Sequence, residues 1–127
     1  MRKYFAEFIG TFLLTFLACG VASFTAGYQG FLGVVGISLI FGFIVAVLCY
    51  SIGNISGCHI NPAITLGCML SGRMKSKEGL MYMLFQVIGA LIGSTILWIL
   101  TSNIDMEYAT TTGANSCAPG VGIAGGL

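Results

Sequence analysis

The chain has 127 residues, of which 57% are hydrophobic and only 7% charged, and its formal net charge is +1. A soluble domain carries roughly 25% charged residues, and a fold this small leaves a large share of its surface in water, so a water-soluble globular domain is excluded. The near-neutral charge and the lack of a basic patch give nucleic-acid binding no support, and a mean hydropathy of +0.98 makes lipid the natural solvent.

The first apolar run covers 4–24, directly after Arg2 and Lys3. A basic start also suits a secretory signal, but a signal core holds about 7–15 residues, and further apolar runs follow. The run therefore reads as a retained span. A Gly-rich turn over 25–30 leads to a second run over 31–52, and a third covers 80–101. Each is close to the roughly 20 residues that cross a hydrocarbon core about 30 Å thick. Each must be helical, because lipid offers bare backbone no hydrogen-bond partner. The 19 glycines lie largely inside these runs, where small residues let helices approach closely. Gly89 and Gly93 form such a small-xxx-small pair. The five cysteines, Cys19, Cys49, Cys58, Cys68 and Cys117, show neither a CxxC pair nor zinc spacing. No disulfide framework and no metal site is expected. The predicted fold class is an all-α membrane protein with three transmembrane helices.

Charge placement sets the orientation. The five basic residues are Arg2, Lys3, Arg73, Lys75 and Lys77, and the first loop and the tail over 102–127 contain none. Short loops rich in Lys and Arg stay in the cytoplasm. The N-terminus and the loop before the third span are therefore predicted inside, and the first loop and the tail outside. The second span then ends inside and the third begins inside. Yet 60–70 is largely apolar, and as a helix its eleven residues reach only about 16 Å, too short to cross; the half-helix itself is expected over 61–70. A segment of that length between two cytoplasmic flanks reads as re-entrant.

The start of that half-helix is well marked. Asn61 is a favoured N-cap, Pro62 suits the first helical position, and Ser71-Gly72 ends the segment. The approach over 53–60 is predicted to be non-helical. Such backbone is tolerated at membrane depth only when buried in protein or lining a water-filled cavity, where its carbonyls can serve as a row of acceptors. Glu7 is the only acid inside a span, and an intramembrane ionisable group is a functional-site candidate by default. Cys58 and His59 are adjacent, but neighbours in extended backbone point opposite ways and no third orienting group is evident. No enzyme activity and no cofactor is expected.

The string Ser56-Gly57-Cys58-His59-Ile60-Asn61-Pro62-Ala63-Ile64-Thr65 resembles the first signature of the major intrinsic proteins, the aquaporin and glycerol-facilitator superfamily. Ala6-Glu7-Phe8-Ile9-Gly10-Thr11 resembles the family's first helix and Gln86-Val87-Ile88-Gly89 its third. Gly113-Ala114-Asn115-Ser116-Cys117-Ala118-Pro119-Gly120 resembles its long external loop. The resemblance implies the first of two inverted halves, the N-terminal half of a channel, with the second Asn-Pro-Ala absent. It implies pore roles for Asn61, Pro62 and Ala63, and a lumen lined by the backbone of Gly57, Cys58, His59 and Ile60. It implies bracing of that loop by Glu7 and Gln86. Phe41 matches the second-helix position of the selectivity constriction, where Phe is common in water-selective members. The expected function is a passive water channel, here a truncated half, in a cell membrane as a multi-pass protein with a cytoplasmic N-terminus. The alternatives are a facilitator of glycerol or another small neutral solute, and a non-conducting fragment or membrane interaction module. The implied partners are water or such a solute and the lipid bilayer, with a tetramer for the full-length protein.

Overall fold

The computed structural model describes residues 1–26 and 33–102. The external loop expected over 102–127, with Cys117, lies outside the described residues beyond Ser102, as does most of the first loop. Every element among the described residues is a helix. These are α1 (Arg2–Leu13), a π-helical stretch (Leu14–Cys19), α2 (Gly20–Ala26), α3 (Gly33–Ser56), α4 (Pro62–Leu70) and α5 (Ser76–Ser102). The first three run on as one rod. Among the described residues three helices are long and apolar enough to cross a membrane: Arg2–Phe24, Gly33–Ser56 and Ser76–Ser102.

Two boundaries differ from the sequence reading. The second helix does not stop at residue 52 but continues to Ser56, and the amide of Gly57 still bonds the carbonyl of Gly53 at 2.9 Å. Nothing in Gly53-Asn54-Ile55-Ser56 forces a break. The break comes at Gly57, where φ reaches +88°, a conformation that glycine adopts without steric cost. The third span begins at Ser76, ahead of its apolar core. Its polar first turn is anchored by an ion pair between Lys3 and Glu78.

That pair joins the first turns of α1 and α5, so the two helices run in the same direction. α3 runs against them, since Ile52 lies by Gly10 while Leu48, further from its C-terminus, packs near Leu13 and Leu14. The arrangement brings all five basic residues to one end of the helices.

α1 and α5 approach closely enough for their backbones to touch. A Cβ placed on Gly89 would collide with the Phe8 carbonyl oxygen and stand 3.1 Å from the Phe12 amide nitrogen. On Gly93 it would stand 3.0 Å from the Phe12 carbonyl oxygen. Two glycines one turn apart on one face of α5 therefore let the α1 backbone lie directly against it. α3, by contrast, leaves Val34, Val35, Leu39, Phe43 and Val47 exposed, an apolar surface that suits lipid or another protein segment.

The α1–α5 contact gives a test. Gly89→Ala meets backbone that cannot move aside, so it should destabilise by about 1–3 kcal/mol. Gly79→Ala should cost much less, because the atoms in its way belong to the flexible Met69 side chain. Thermal unfolding of both variants in detergent checks the order. Equal losses would mean that the helices do not meet at Gly89.

Candidate functional site: the loop before the short helix

The five residues between α3 and α4 form an unusual piece of backbone. Gly57, Cys58 and Ile60 have φ of +88°, +52° and +41°. For non-glycine residues this region costs about 1–3 kcal/mol each, and for β-branched Ile60 it is a genuine outlier. Something must hold the loop there.

The holder is Glu7, whose side chain is completely buried. Its Oε1 accepts hydrogen bonds from Ser56 Oγ at 2.6 Å and the His59 amide at 2.9 Å. Its Oε2 accepts from the Ile60 amide at 2.6 Å and Gln86 Nε2 at 2.7 Å. An ionised carboxylate accepts and cannot donate, and every contact here supplies a donor. Hydrogen bonds to a charged group contribute about 1.5–3 kcal/mol each, enough together to offset the backbone strain.

A second tier surrounds this centre. Tyr82 Oη donates to the Ser56 carbonyl at 2.9 Å, and the Cys58 amide donates to Ser56 Oγ at 3.1 Å. Gln86 Nε2 also reaches Thr65 Oγ1 at 3.1 Å, and His59 Nδ1 lies 3.1 Å from the same hydroxyl. The Cys58 and Ile60 side chains pack with Leu48 in an apolar cluster flanked by Leu13, Leu14, Ile44 and Ile52. The loop is thus pinned on one side by hydrogen bonds and on another by apolar packing.

The peptide plane converts this pinning into a pattern. In a trans peptide the N–H and the preceding C=O point opposite ways. The amides of Cys58, His59 and Ile60 all point into the protein, towards Ser56 and Glu7. The carbonyls of Gly57, Cys58 and His59 must therefore point away from it. Among the described residues none of the three has a hydrogen-bond donor.

Asn61 follows at the exposed tip. Its Oδ1 accepts from the Ala63 amide at 2.8 Å as the N-cap of α4, with Pro62 next in the helix. The cap occupies the oxygen and leaves the side-chain N–H₂ free to donate outward. Pro62 and Ala63 are exposed beside it. Of the residues singled out from the sequence, the structure brings together Glu7, Gln86, Gly57, Cys58, His59, Ile60, Asn61, Pro62 and Ala63. Phe41 stands apart, half-buried in α3, roughly 22 Å along the helix from Ser56. Tyr82 and Thr65 were not foreseen as bracing residues. Tyr82 lies one turn before Gln86 on the same face of α5, and that spacing was the available signal.

The bracing can be ranked by substitution. Glu7→Gln places an amide N–H₂ against donors, so at least one buried group loses its partner. It should destabilise by about 1–3 kcal/mol or more. Tyr82→Phe removes one bond to a carbonyl and should cost about 1 kcal/mol. Thermal unfolding in detergent tests the order, and a Glu7→Gln protein as stable as the parent would remove Glu7 from the centre of the site.

Comparison with known proteins fits this geometry. A family model described as Major intrinsic protein matches residues 1–127. Aquaporin Z of Bradyrhizobium diazoefficiens is 48% identical over 103 residues, 80% of this chain and 43% of the relative. Aquaporin Z of Rhodopseudomonas palustris is 48% identical over 102 residues, 80% of this chain and 42% of the relative. Aquaporin Z of Photorhabdus laumondii is 40% identical over 114 residues, 89% of this chain and 49% of the relative. The chain spans about half the length of the curated relatives it matches. With its match to the family model running through the braced loop and the capped short helix, the chain belongs to the major intrinsic protein family.

Proposed function

We propose that this chain forms the N-terminal half of a passive water channel. The observation that carries the reading is the row of outward carbonyls at Gly57, Cys58 and His59, ending at the free amide of Asn61. A water molecule can donate to each carbonyl in turn. At Asn61 it meets a donor and must accept instead, which turns its own hydrogens away along the file. A proton cannot be relayed through a water so oriented. The positive end of α4 lies at the same point and disfavours cations. No covalent step is needed.

In this reading α4 is re-entrant, and the end carrying the basic residues is cytoplasmic. Phe41 is a wall of the selectivity constriction and favours water over glycerol. The lumen needs a second wall, because Asn61, Pro62 and Ala63 are exposed among the described residues. In the assembled protein that wall is the second inverted half, and the assembly is a tetramer.

Stopped-flow swelling of proteoliposomes tests the reading. Residues 1–127 alone should match empty liposomes. The same residues joined to the C-terminal half of the Bradyrhizobium diazoefficiens relative should conduct water faster than glycerol. Asn61→Asp in that chimera puts a carboxylate where the lumen needs a neutral donor, so it should lower water flux or admit cations. A chimera that inserts in the membrane but stays at the empty-liposome level would overturn the channel reading. Unchanged flux and cation leak in the Asn61→Asp chimera would overturn the role of Asn61.

A further inference from the structure

The imidazole of His59, the chain's single histidine, has no part in the mechanism above, which uses only the residue's amide and carbonyl. Its Nδ1 lies 3.1 Å from Thr65 Oγ1, and its ring stands edge-on to Tyr82 with centroids 5.3 Å apart. The other ring nitrogen, Nε2, has no hydrogen-bond partner among the described residues. Ser23 Oγ is the one buried side-chain nitrogen or oxygen among them left without a partner, so Nε2 reaches open space. It does so beside Gly57, where an added Cβ would stand 3.4 Å from it. Gly57 is exposed, and its carbonyl begins the outward row.

The place of the ring hydrogen follows from a count at Thr65, which is completely buried. A hydroxyl has one hydrogen and two acceptor lone pairs. The Glu7 carboxylate can only accept, so the Gln86 atom 2.7 Å from its Oε2 is the NH₂ nitrogen. The second hydrogen of that nitrogen serves Thr65 Oγ1 at 3.1 Å. The single Thr65 hydrogen serves the Asn61 carbonyl, one turn back, at 3.2 Å, a usual partner of threonine within a helix. Gln86 Oε1 stands further off, at 3.5 Å. One lone pair remains on the hydroxyl, and Nδ1 faces it. A lone pair takes a donor, so Nδ1 carries the ring hydrogen. In a neutral imidazole the other nitrogen is then bare.

We propose that Thr65 is a positioning residue that holds His59 as its Nδ1–H tautomer, so that bare Nε2 stands beside the Gly57 carbonyl as a side-chain acceptor for water. The place of Nε2 on the lumen wall rests on the channel reading. There a passing water donates to Nε2 as it does to the carbonyls, and Asn61 remains the donor that turns it. The opposite tautomer would set an N–H among acceptors and orient water against the rest of the row.

The tautomer is measured without flux, so its failure leaves the channel reading untouched. The whole chain is purified with a histidine-free tag and carries ¹⁵N-histidine, which gives one pair of ring signals in NMR spectra. In alkaline buffer, where imidazole is neutral, the shifts separate an N–H nitrogen from a bare one. Couplings to the ring C–H groups tell Nδ1 from Nε2. The expected result is a protonated Nδ1 and a bare Nε2 in the parent and in Thr65→Ser, which keeps the hydroxyl. Thr65→Val, similar in shape but without it, should move the tautomer ratio at least about fivefold towards Nε2–H, the shift that one lost hydrogen bond brings. A parent ring protonated on Nε2 or averaged over both nitrogens would overturn the proposal, as would a Thr65→Val spectrum like the parent's. If Thr65→Val fails to fold, the parent spectrum decides alone. In the conducting chimera Thr65→Val should lower water flux and Thr65→Ser should retain it. Parental flux in a Thr65→Val chimera whose tautomer has changed would remove Nε2 from the lumen wall.

Discussion

A carboxylate sealed in an apolar helix bundle is expensive unless donors converge on it, and Glu7 draws its donors from three separate parts of the chain. Ser56 ends α3, the amides of His59 and Ile60 belong to the loop, and Gln86 lies in the middle of α5. Removing any of these partners leaves the buried carboxylate one donor short, a cost of about 1.5–3 kcal/mol. The charge therefore acts as a tie between elements that apolar packing alone would leave free to slide. It also fixes polarity along the loop, because each amide aimed at Glu7 or Ser56 turns the preceding carbonyl outward.

That tie depends on helix spacing. Gln86 and Tyr82 can reach the loop only because α5 lies against α1, and α5 can lie there only because Gly89 and Gly93 present no side chain to the Phe8 and Phe12 backbone. Gly10 does the same on the other side of α1, where a Cβ would strike Ile52 and Ile60 at 2.7 Å. The helices meet backbone to backbone at Gly89 and Gly93 and backbone to side chain at Gly10, and the polar centre sits between these contacts. Strain at Cys58 and Ile60 persists because packing and hydrogen bonding over-determine those residues from two directions.

The sequence and the structure part company where local signals are weak. Gly53 and Asn54 read as the start of a loop, since both are poor helix formers. They remain helical because the α3 ladder still has partners there, and the chain turns only where Gly57 permits a left-handed residue. The polar residues Ser76, Lys77 and Glu78 read as loop before an apolar span, yet they form the first turn of α5. Propensity and hydropathy mark the apolar core of a helix, whereas its ends are set by the contacts available to the last turns, here the Lys3–Glu78 pair.

By itself the sequence determined the class of the protein and the elements available to it. The apolar run lengths demanded helices that cross a membrane, the Asn61-Pro62 pair marked the start of a short helix, and the lone acid among apolar residues marked Glu7 as a group in need of partners. These features were legible because they depend on composition and on contacts between near neighbours. Only the tertiary structure decided which donors satisfy Glu7, that Tyr82 and Thr65 belong to the brace, and which way the loop carbonyls face. Glu7 and Gln86 are 79 residues apart. No local pattern encodes a contact across that distance, since it exists only when the helices have packed and the cost of burying the charge selects one arrangement of the loop.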